Sequence, residues 1–306
     1  MGLKIERGIR QEPVAAVLYG TEGIGKSTLA ADFPKPLILD TEHGSGRINC
    51  ARVRCDDWMA LYGALIDLGG DPQGFQTIVI DSIDWAESML RDHMLKKDGK
   101  KSLEDYGFGK GHVKLAEQFA TLLSVLDQLV RGGLHVLLVG HSTVKRTSPP
   151  DMEEGYDRYE LKLTRQVAPL VKEWADVILF ANYRTKLVEG ADGRVRGRGG
   201  KERILYTERA AAWDAKNRFG LPPELPMAID GLAPLFAAGA AAAGQAAFDQ
   251  AAEYIATAKS VKALGKAGDR IDELASDGSL DTDQVAELMG MINRRHEELE
   301  PVEVAQ

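Results

Sequence analysis

Residues Gly20-Thr21-Glu22-Gly23-Ile24-Gly25-Lys26-Ser27 match the pattern G-x-x-x-x-G-K-S, and the chemistry that this spacing serves is the binding of a polyphosphate. Glycines let the backbone curl so that successive N–H groups point inward at phosphate oxygens. A helix opening at the end of the loop adds the positive end of its dipole. Lys26 is expected to reach the β- and γ-phosphates as a compact cation, Ser27 to ligate Mg²⁺ through its hydroxyl, and Thr28 to complete the cradle. The apolar run VAAVLYG (14–20) before the loop reads as a strand and STLAADF after it as a helix, which is the context the pattern requires. ATP and Mg²⁺ are therefore the expected ligands.

Two carboxylates complete the expected chemistry. TIVIDS (77–82) is an apolar run that ends in Asp81, and a carboxylate at the end of a strand beside the loop strand can hold the magnesium through water. Ser82, and not a glutamate, follows Asp81, so the general base must come from elsewhere. PLILD (36–40) is a second strand, and the Asp40-Thr41-Glu42-His43 that follows places Glu42 at the ligand-binding edge of an open α/β sheet. Glu42 is the candidate base.

The elements that must position these groups are short runs apolar on both parities, VAAVLYG, PLILD, TIVID, HVLLVG (135–140) and DVILFA (176–181), as in strands buried on both faces. STLAADF, WMALYGALIDL and LAEQFATLLSVLDQLV read as helices between them. The fold class is therefore α/β, with a mostly parallel central sheet covered on both sides. A hairpin is expected over 182–208, with Asp192-Gly193 as its turn. The length of 306 residues, with 44% apolar and 27% charged residues, excludes a disordered or collagen-like chain. Two cysteines, Cys50 and Cys55, without a second Cys or His pair at zinc spacing, argue against a structural metal. With no apolar run of membrane length and a polar start, the chain reads as cytoplasmic, without a membrane partner. Of the net charge of −8, residues 241–306 carry −7, from thirteen Asp/Glu against six Lys/Arg. The expected organisation is a core over 1–236, an Ala/Gly linker over 237–247 that could also be the frayed start of a helix, and an acidic appendage of three amphipathic helices over 248–306.

GTEGIGKSTLA, LILDTEHG, IVIDSID, VLLVGHSTVK and AKNRFG (215–220) occur in the order found in the RecA superfamily of ATPases, which the region 15–225 resembles. GHSTVK and KNRFG are similar to RadA- and KaiC-type members. The nearest resemblance is to phage-encoded RecA-like ATPases of single-strand annealing and recombination, which also show a segment like YGFGKGH. The resemblance implies that Glu42 activates the attacking water and that His141 senses the γ-phosphate. It also implies that Lys216 and Arg218 reach a neighbouring subunit's ATP, so that the active form is a homo-oligomer, ring or filament. A phage-infected or prophage-bearing bacterium would be the host, and a single-strand-binding protein or other recombination factor a partner.

RecA-like proteins place a first DNA-binding loop where MLKKDGKKSLEDYGFGKGHVK (94–114) falls. Lys96, Lys97, Lys100, Lys101 and Lys110 would attract a phosphate backbone, and Tyr106 and Phe108 could stack on unpaired bases. A second set, Lys145, Arg146, Tyr156, Arg158, Tyr159 and Lys162, begins just past His141, so nucleotide state could order it. The expected ligand is single-stranded DNA, and the expected activity is DNA-dependent ATP hydrolysis in recombination or strand annealing. The alternatives are a P-loop small-molecule kinase, with the Arg-rich hairpin as a lid, and a helicase-loading or motor ATPase. The absence of an N-K-x-D motif speaks against a GTPase.

Overall fold

The computed structural model describes residues 12–148, 154–189, 195–276 and 279–299, with the side chains of 185–189, 195–199, 237–243 and 246 excepted. The described core runs β1 (Ala15–Gly20), α1 (Lys26–Ala31), β2 (Pro36–Asp40), β3 (Ala51–Arg54), α2 (Trp58–Gly70), β4 (Thr77–Asp81), α3 (Ile83–Asp98) and α4 (Lys110–Arg131). It continues with β5 (His135–Thr147), β6 (Tyr156–Leu161), α5 (Val167–Trp174), β7 (Val177–Glu189), β8 (Val195–Tyr206) and β9 (Glu224–Pro226). The strand order is β3-β2-β4-β5-β1-β7-β8-β9, and β6 pairs with the outer half of β5. From β3 through β7 all neighbours are parallel, and β8, β9 and β6 are antiparallel additions. This is the mostly parallel α/β architecture that the sequence predicts.

The alternation of β1 explains the two layers. Ala15, Val17 and Tyr19 join the cluster made with α2, α3, α4 and α5, whereas Val14, Ala16 and Leu18 join the one made with α1 and the segment 219–236. Both sets are buried, so the strand is apolar at every position, as its sequence suggested. α4 presents Leu115, Phe119, Leu122, Leu126 and Leu129 at intervals of three and four, each buried against the sheet. Burying each of these contributes about 1.5–3 kcal/mol.

One short element and one helix escape the sequence pattern, β3 and α3. β3 is a four-residue edge strand with largely exposed side chains, so it carries no hydrophobic signature. α3 and α4 take up both ends of the stretch 94–114, where a DNA-binding loop is expected. The connection between them is fixed. Ser102 and Asp105 form a capping box, and Asp98 takes hydrogen bonds from Tyr106 (2.6 Å) and from Lys114.

The chain divides after Phe236: Pro13–Phe236 is one compact unit, and the other contains α6 (Ala237–Thr257), α7 (Val261–Ser276) and α8 (Thr282–Leu299). The Ala/Gly stretch 237–247 is not a linker but the first half of α6. Alanine is the strongest helix former, and Gly244 is spent on packing, since a Cβ there would lie 2.7 Å from the Ser279 carbonyl oxygen. Ile255, Leu264, Ile271, Leu280 and Leu288 form this unit's own buried core. The turn Asp192-Gly193 lies outside the described residues.

His135 joins β1 to β5 by accepting a hydrogen bond at Nδ1 from the Val14 backbone N–H (3.0 Å), and its ring meets Phe236 edge-on. Burial pushes its pKa down to about 4. Because the unfolded chain takes up this proton near pH 6.5 and the folded chain resists it, stability falls as pH drops from about 6.5 to 4, by up to about 3 kcal/mol. Urea unfolding across this range should show a steeper acid loss in the wild type than in His135→Gln.

Candidate functional site

Parallel pairing brings four strand ends to one edge. Gly20 lies beside His141, Asp40 beside Asp81 and Asp81 beside Val139. The loop 20–27, the turn 40–45, Asp81 and His141 thus emerge together at the edge where open α/β sheets bind ligands.

The loop leaves β1 and enters α1 through Gly25, whose φ of 103° is a backbone conformation that side-chain-bearing residues rarely adopt. Lys26 is 6% exposed, and its Nζ donates to the carbonyl oxygens of Gly20 (3.2 Å) and Thr21 (3.0 Å). Burial lowers the Lys26 pKa, with the carboxylates of Asp81 and Glu42 pulling the other way. A partly desolvated ammonium resting on loop carbonyls is suited to a phosphate oxygen. Burial pushes Asp81 up to about 6, and a hydrogen bond from the Ser27 hydroxyl opposes that rise. Ser27 and Asp81 form an all-oxygen pair of the kind Mg²⁺ prefers, so the residues present fit that ion. When bound, it neutralises charge on the β- and γ-phosphate oxygens.

Glu42 is held by the residues on either side of it. Asp40 turns the chain by accepting from the Ser45 hydroxyl (2.5 Å), the Ser45 N–H (3.1 Å) and the Gly44 N–H (3.2 Å). Thr41 donates its N–H to the Asp81 carbonyl (2.8 Å), and its hydroxyl both donates to the Ser82 carbonyl (3.0 Å) and accepts from the Ser82 N–H (2.7 Å). The acidic turn is thereby tied to the end of β4. Glu42 Oε1 and Thr21 Oγ1 are buried with no hydrogen-bond partner among the described residues. Such atoms cost about 1–3 kcal/mol each when left unsatisfied, so both are suited to a nucleotide or its attacking water.

His141 Nδ1 lies 3.0 and 3.1 Å from the two oxygens of Asp84 and 3.6 Å from Glu42 Oε1. The backbone N–H of His141 also donates to Asp84 Oδ1 (3.2 Å). The hydrogen bond to Asp84 raises the pKa of His141 against the effect of burial. Donor atoms of Glu42, Asp84 and His141 lie within 4.8 Å of one another. Asp84 meets both the ring Nδ1 and the backbone N–H of His141, so it fixes the orientation of that imidazole beside Glu42. No sequence motif announced Asp84; its signal is the second acid of IDSID, three residues after Asp81 in the first turn of α3.

A family profile described as an AAA domain matches residues 12–219, about two thirds of the chain. The chain belongs to that family. Its phosphate loop, Asp81, Glu42 and His141 all lie within the matched region, and it is an AAA-type P-loop ATPase domain followed by a helical unit. Among solved structures it is similar to the flagellar accessory protein FlaH from Methanocaldococcus jannaschii at 12% identity, over 69% of this chain and 87% of that one, with a TM-score of 0.33. No curated protein sequence matches it. Among the described residues, no helix is long and apolar enough to cross a membrane.

The remaining expected site residues of this AAA domain lie further from the loop. Lys216 pairs with Ile178 near the start of β7, and Arg218 with Asp176 (3.0 Å), which precedes it. Along the strands Lys216 thus lies about 10 Å and Asp176, the partner of Arg218, about 17 Å from the level of Gly20, so Arg218 does not reach its own chain's loop. Lys216 has a structural duty: its Nζ donates to the carbonyls of Lys172, Glu173 and Ala175, capping α5. Arg218 is the more exposed of the two.

Several expected DNA contacts are also spent elsewhere. Arg158 is buried in an ion pair with Asp214, which Lys172 also joins (2.7 Å), and the half-buried Tyr159 packs on Phe180. Tyr106 is held by Asp98 and overlain by Lys100 and Lys114 at 5.8 and 5.3 Å. Lys145 faces Glu160 (3.3 Å) and Arg146 faces Asp157 (3.8 Å) across the β5–β6 hairpin, which lowers its net charge. Lys96 and Lys97 line a recess that also holds Asp56, Asp57 and Asp92. Lys101, Lys110 and Lys162 are exposed, Tyr156 is half-buried, and Phe108 is fully exposed with φ 48° between Gly107 (70°) and Gly109 (72°).

Asp84 orients His141 without touching a reacting atom. Asp84→Asn should therefore lower kcat for ATP hydrolysis roughly 10–100-fold while leaving ATP affinity near wild type, and should lower the His141 pKa seen by NMR titration.

Proposed function

We propose that this AAA domain is a RecA-like, Mg-ATP-dependent ATPase of DNA recombination or single-strand annealing, of the kind that phages encode. The observation that carries the reading is the convergence on one sheet edge of a polyphosphate loop, the Ser27–Asp81 pair, a half-buried carboxylate with an oxygen free of hydrogen bonds, and an oriented imidazole. Lys26 holds the β- and γ-phosphates, and Ser27 with Asp81 holds the metal. Glu42 Oε1 accepts the proton of the attacking water, and His141, steadied by Asp84, reads the γ-phosphate.

Support for single-stranded DNA comes from what shares that edge. α4 ends beside the start of β5, and at 22 residues it is about 33 Å long, twice the depth of the parallel strands. Its first turn and the exposed Phe108 therefore stand on the loop side of the sheet, with Lys100, Lys101 and Lys110 around them. An exposed ring held on a fixed turn among lysines suits unpaired bases and their phosphates. β5 runs without a break from His141 into the β5–β6 hairpin, and the Lys162 N–H donates to the His141 carbonyl (2.9 Å), which gives nucleotide state a direct path to that hairpin.

Arg218 is too far from its own loop to stabilise its own nucleotide, so in this reading it serves the site of an adjacent copy. ATP hydrolysis should rise with single-stranded DNA, and the rate per subunit should rise with protein concentration. Glu42→Gln should lower kcat by roughly 10²–10⁴ with ATP binding retained, and Arg218→Ala should abolish the concentration dependence. A DNA-indifferent rate with Arg218→Ala unaffected would overturn the recombination reading and favour a small-molecule kinase.

A further inference from the structure

The helical unit carries a groove of its own. Between α6 and α7 lies a recess of about 340 Å³, lined by the apolar Ala251, Ala267 and Leu274 and by Tyr254, Lys266 and Arg270. Ala267 and Leu274 are buried and Ala251 half-buried, so they form its floor, whereas Tyr254, Lys266 and Arg270 are exposed and form its rim. The spacing along each helix explains the groove. On α6, Ala247, Ala251 and Tyr254 recur at intervals of four and three, and on α7 Ala267 and Leu274 stand seven apart, so each helix turns one stripe toward the recess. The short alanine side chains of these stripes leave open the space between the helices.

The charge of this recess is opposite to that of its surroundings. Residues 241–306 hold thirteen Asp/Glu against six Lys/Arg, yet among the described residues no carboxylate lines the recess. Three of the six cations, Lys262, Lys266 and Arg270, follow one another at intervals of four, which sets them in one row along α7. Lys266 is exposed and in no ion pair among the described residues. Arg270 meets Glu273 (2.7 Å), three residues along its own helix, in a pair exposed on both sides that another carboxylate readily replaces.

We propose that the α6–α7 groove is the docking site for a short, acidic, amphipathic peptide segment of a partner protein. An apolar side chain of that segment enters over Ala251, Ala267 and Leu274 against the Tyr254 ring, which is 47% exposed. Carboxylates one helical turn apart on the segment meet Lys266 and Arg270, whose spacing they match. The apolar floor supplies affinity, and the two cations select the sign of the partner and fix its register. A concave apolar floor suits a side chain rather than a phosphate backbone, and the acidic unit around it repels an extended polyanion, so the occupant is a peptide and not a nucleic acid. None of these residues belongs to the nucleotide site, and the groove is independent of the ATPase reading.

In an anisotropy titration the full chain should bind a fluorescein-labelled Glu-Leu-Leu-Glu-Glu-Leu-Leu-Glu peptide, and bind the same peptide with Lys in place of Glu roughly tenfold more weakly. Lys266→Glu combined with Arg270→Glu should reverse that order, and Tyr254→Ala should weaken the glutamate peptide roughly tenfold. Because these side chains are exposed, the melting temperature of both variants should match the wild type. Wild-type protein that binds the two peptides equally, or binds neither, would overturn the proposal, as would an order that the charge reversal leaves as it was. A reversed variant that loses single-stranded DNA in the same titration while keeping the glutamate peptide would assign the row to nucleic acid and overturn it too. One whose sedimentation changes in the absence of peptide would assign the groove to a second copy of the chain, with the same result.

Discussion

The position of β1 is the constraint on which the rest of the molecule depends. It is buried on both faces and hydrogen-bonded on both sides, by β5 and by β7, so every neighbour is set by its register. Gly20 closes the strand against β7 so tightly that a Cβ would lie 2.0 Å from the Ala181 carbonyl oxygen. The phosphate loop therefore leaves the sheet at a fixed point. His141, paired with Gly20, and Asp81, one strand further, have no freedom to be elsewhere.

Around that point the polar groups form a graded network. Asp40 and Thr41 spend their hydrogen bonds on building the turn and on β4, which leaves Glu42 held in place with its Oε1 free of hydrogen bonds and 3.6 Å from His141 Nδ1. Asp84 spends both oxygens on His141. The site is thus made of acids with separate duties: Asp40 and Asp84 position their neighbours, Asp81 faces the Ser27 hydroxyl, and Glu42 keeps one oxygen free of hydrogen bonds. Burial, which pushes Asp81 upward and Lys26 downward, favours a ligand that brings both a cation and phosphate oxygens.

A second knot holds the far side of the core. Tyr19 donates its hydroxyl to the Asp214 carbonyl (2.7 Å) and accepts from the Asp214 N–H (3.0 Å), while the Asp214 carboxylate binds Arg158 and Lys172. This joins β1, β6, α5 and the segment carrying Lys216 and Arg218. Arg158, which looks in the sequence like one more surface cation among Lys145, Arg146 and Lys162, is the residue on which that knot closes.

What the sequence by itself determined was whatever is encoded locally. The G-x-x-x-x-G-K-S loop, the apolar runs that became β1, β2 and β4, and the acids Asp81 and Glu42 at strand ends are legible because a strand apolar on both parities must lie inside a sheet. Tertiary structure alone decided the long-range pairings. That Asp84 serves His141, that Lys216 caps α5, and that Arg158 and Tyr159 turn inward all depend on residues 40 or more positions apart, or on strand register. The Ala/Gly stretch at 237–247 belongs with these: low complexity suits a linker or a helix start, and only in the fold does it stand as the first half of α6, with Gly244 packed close to Ser279. A side chain's charge is written in the sequence, but the partner that consumes it is chosen only when the chain folds.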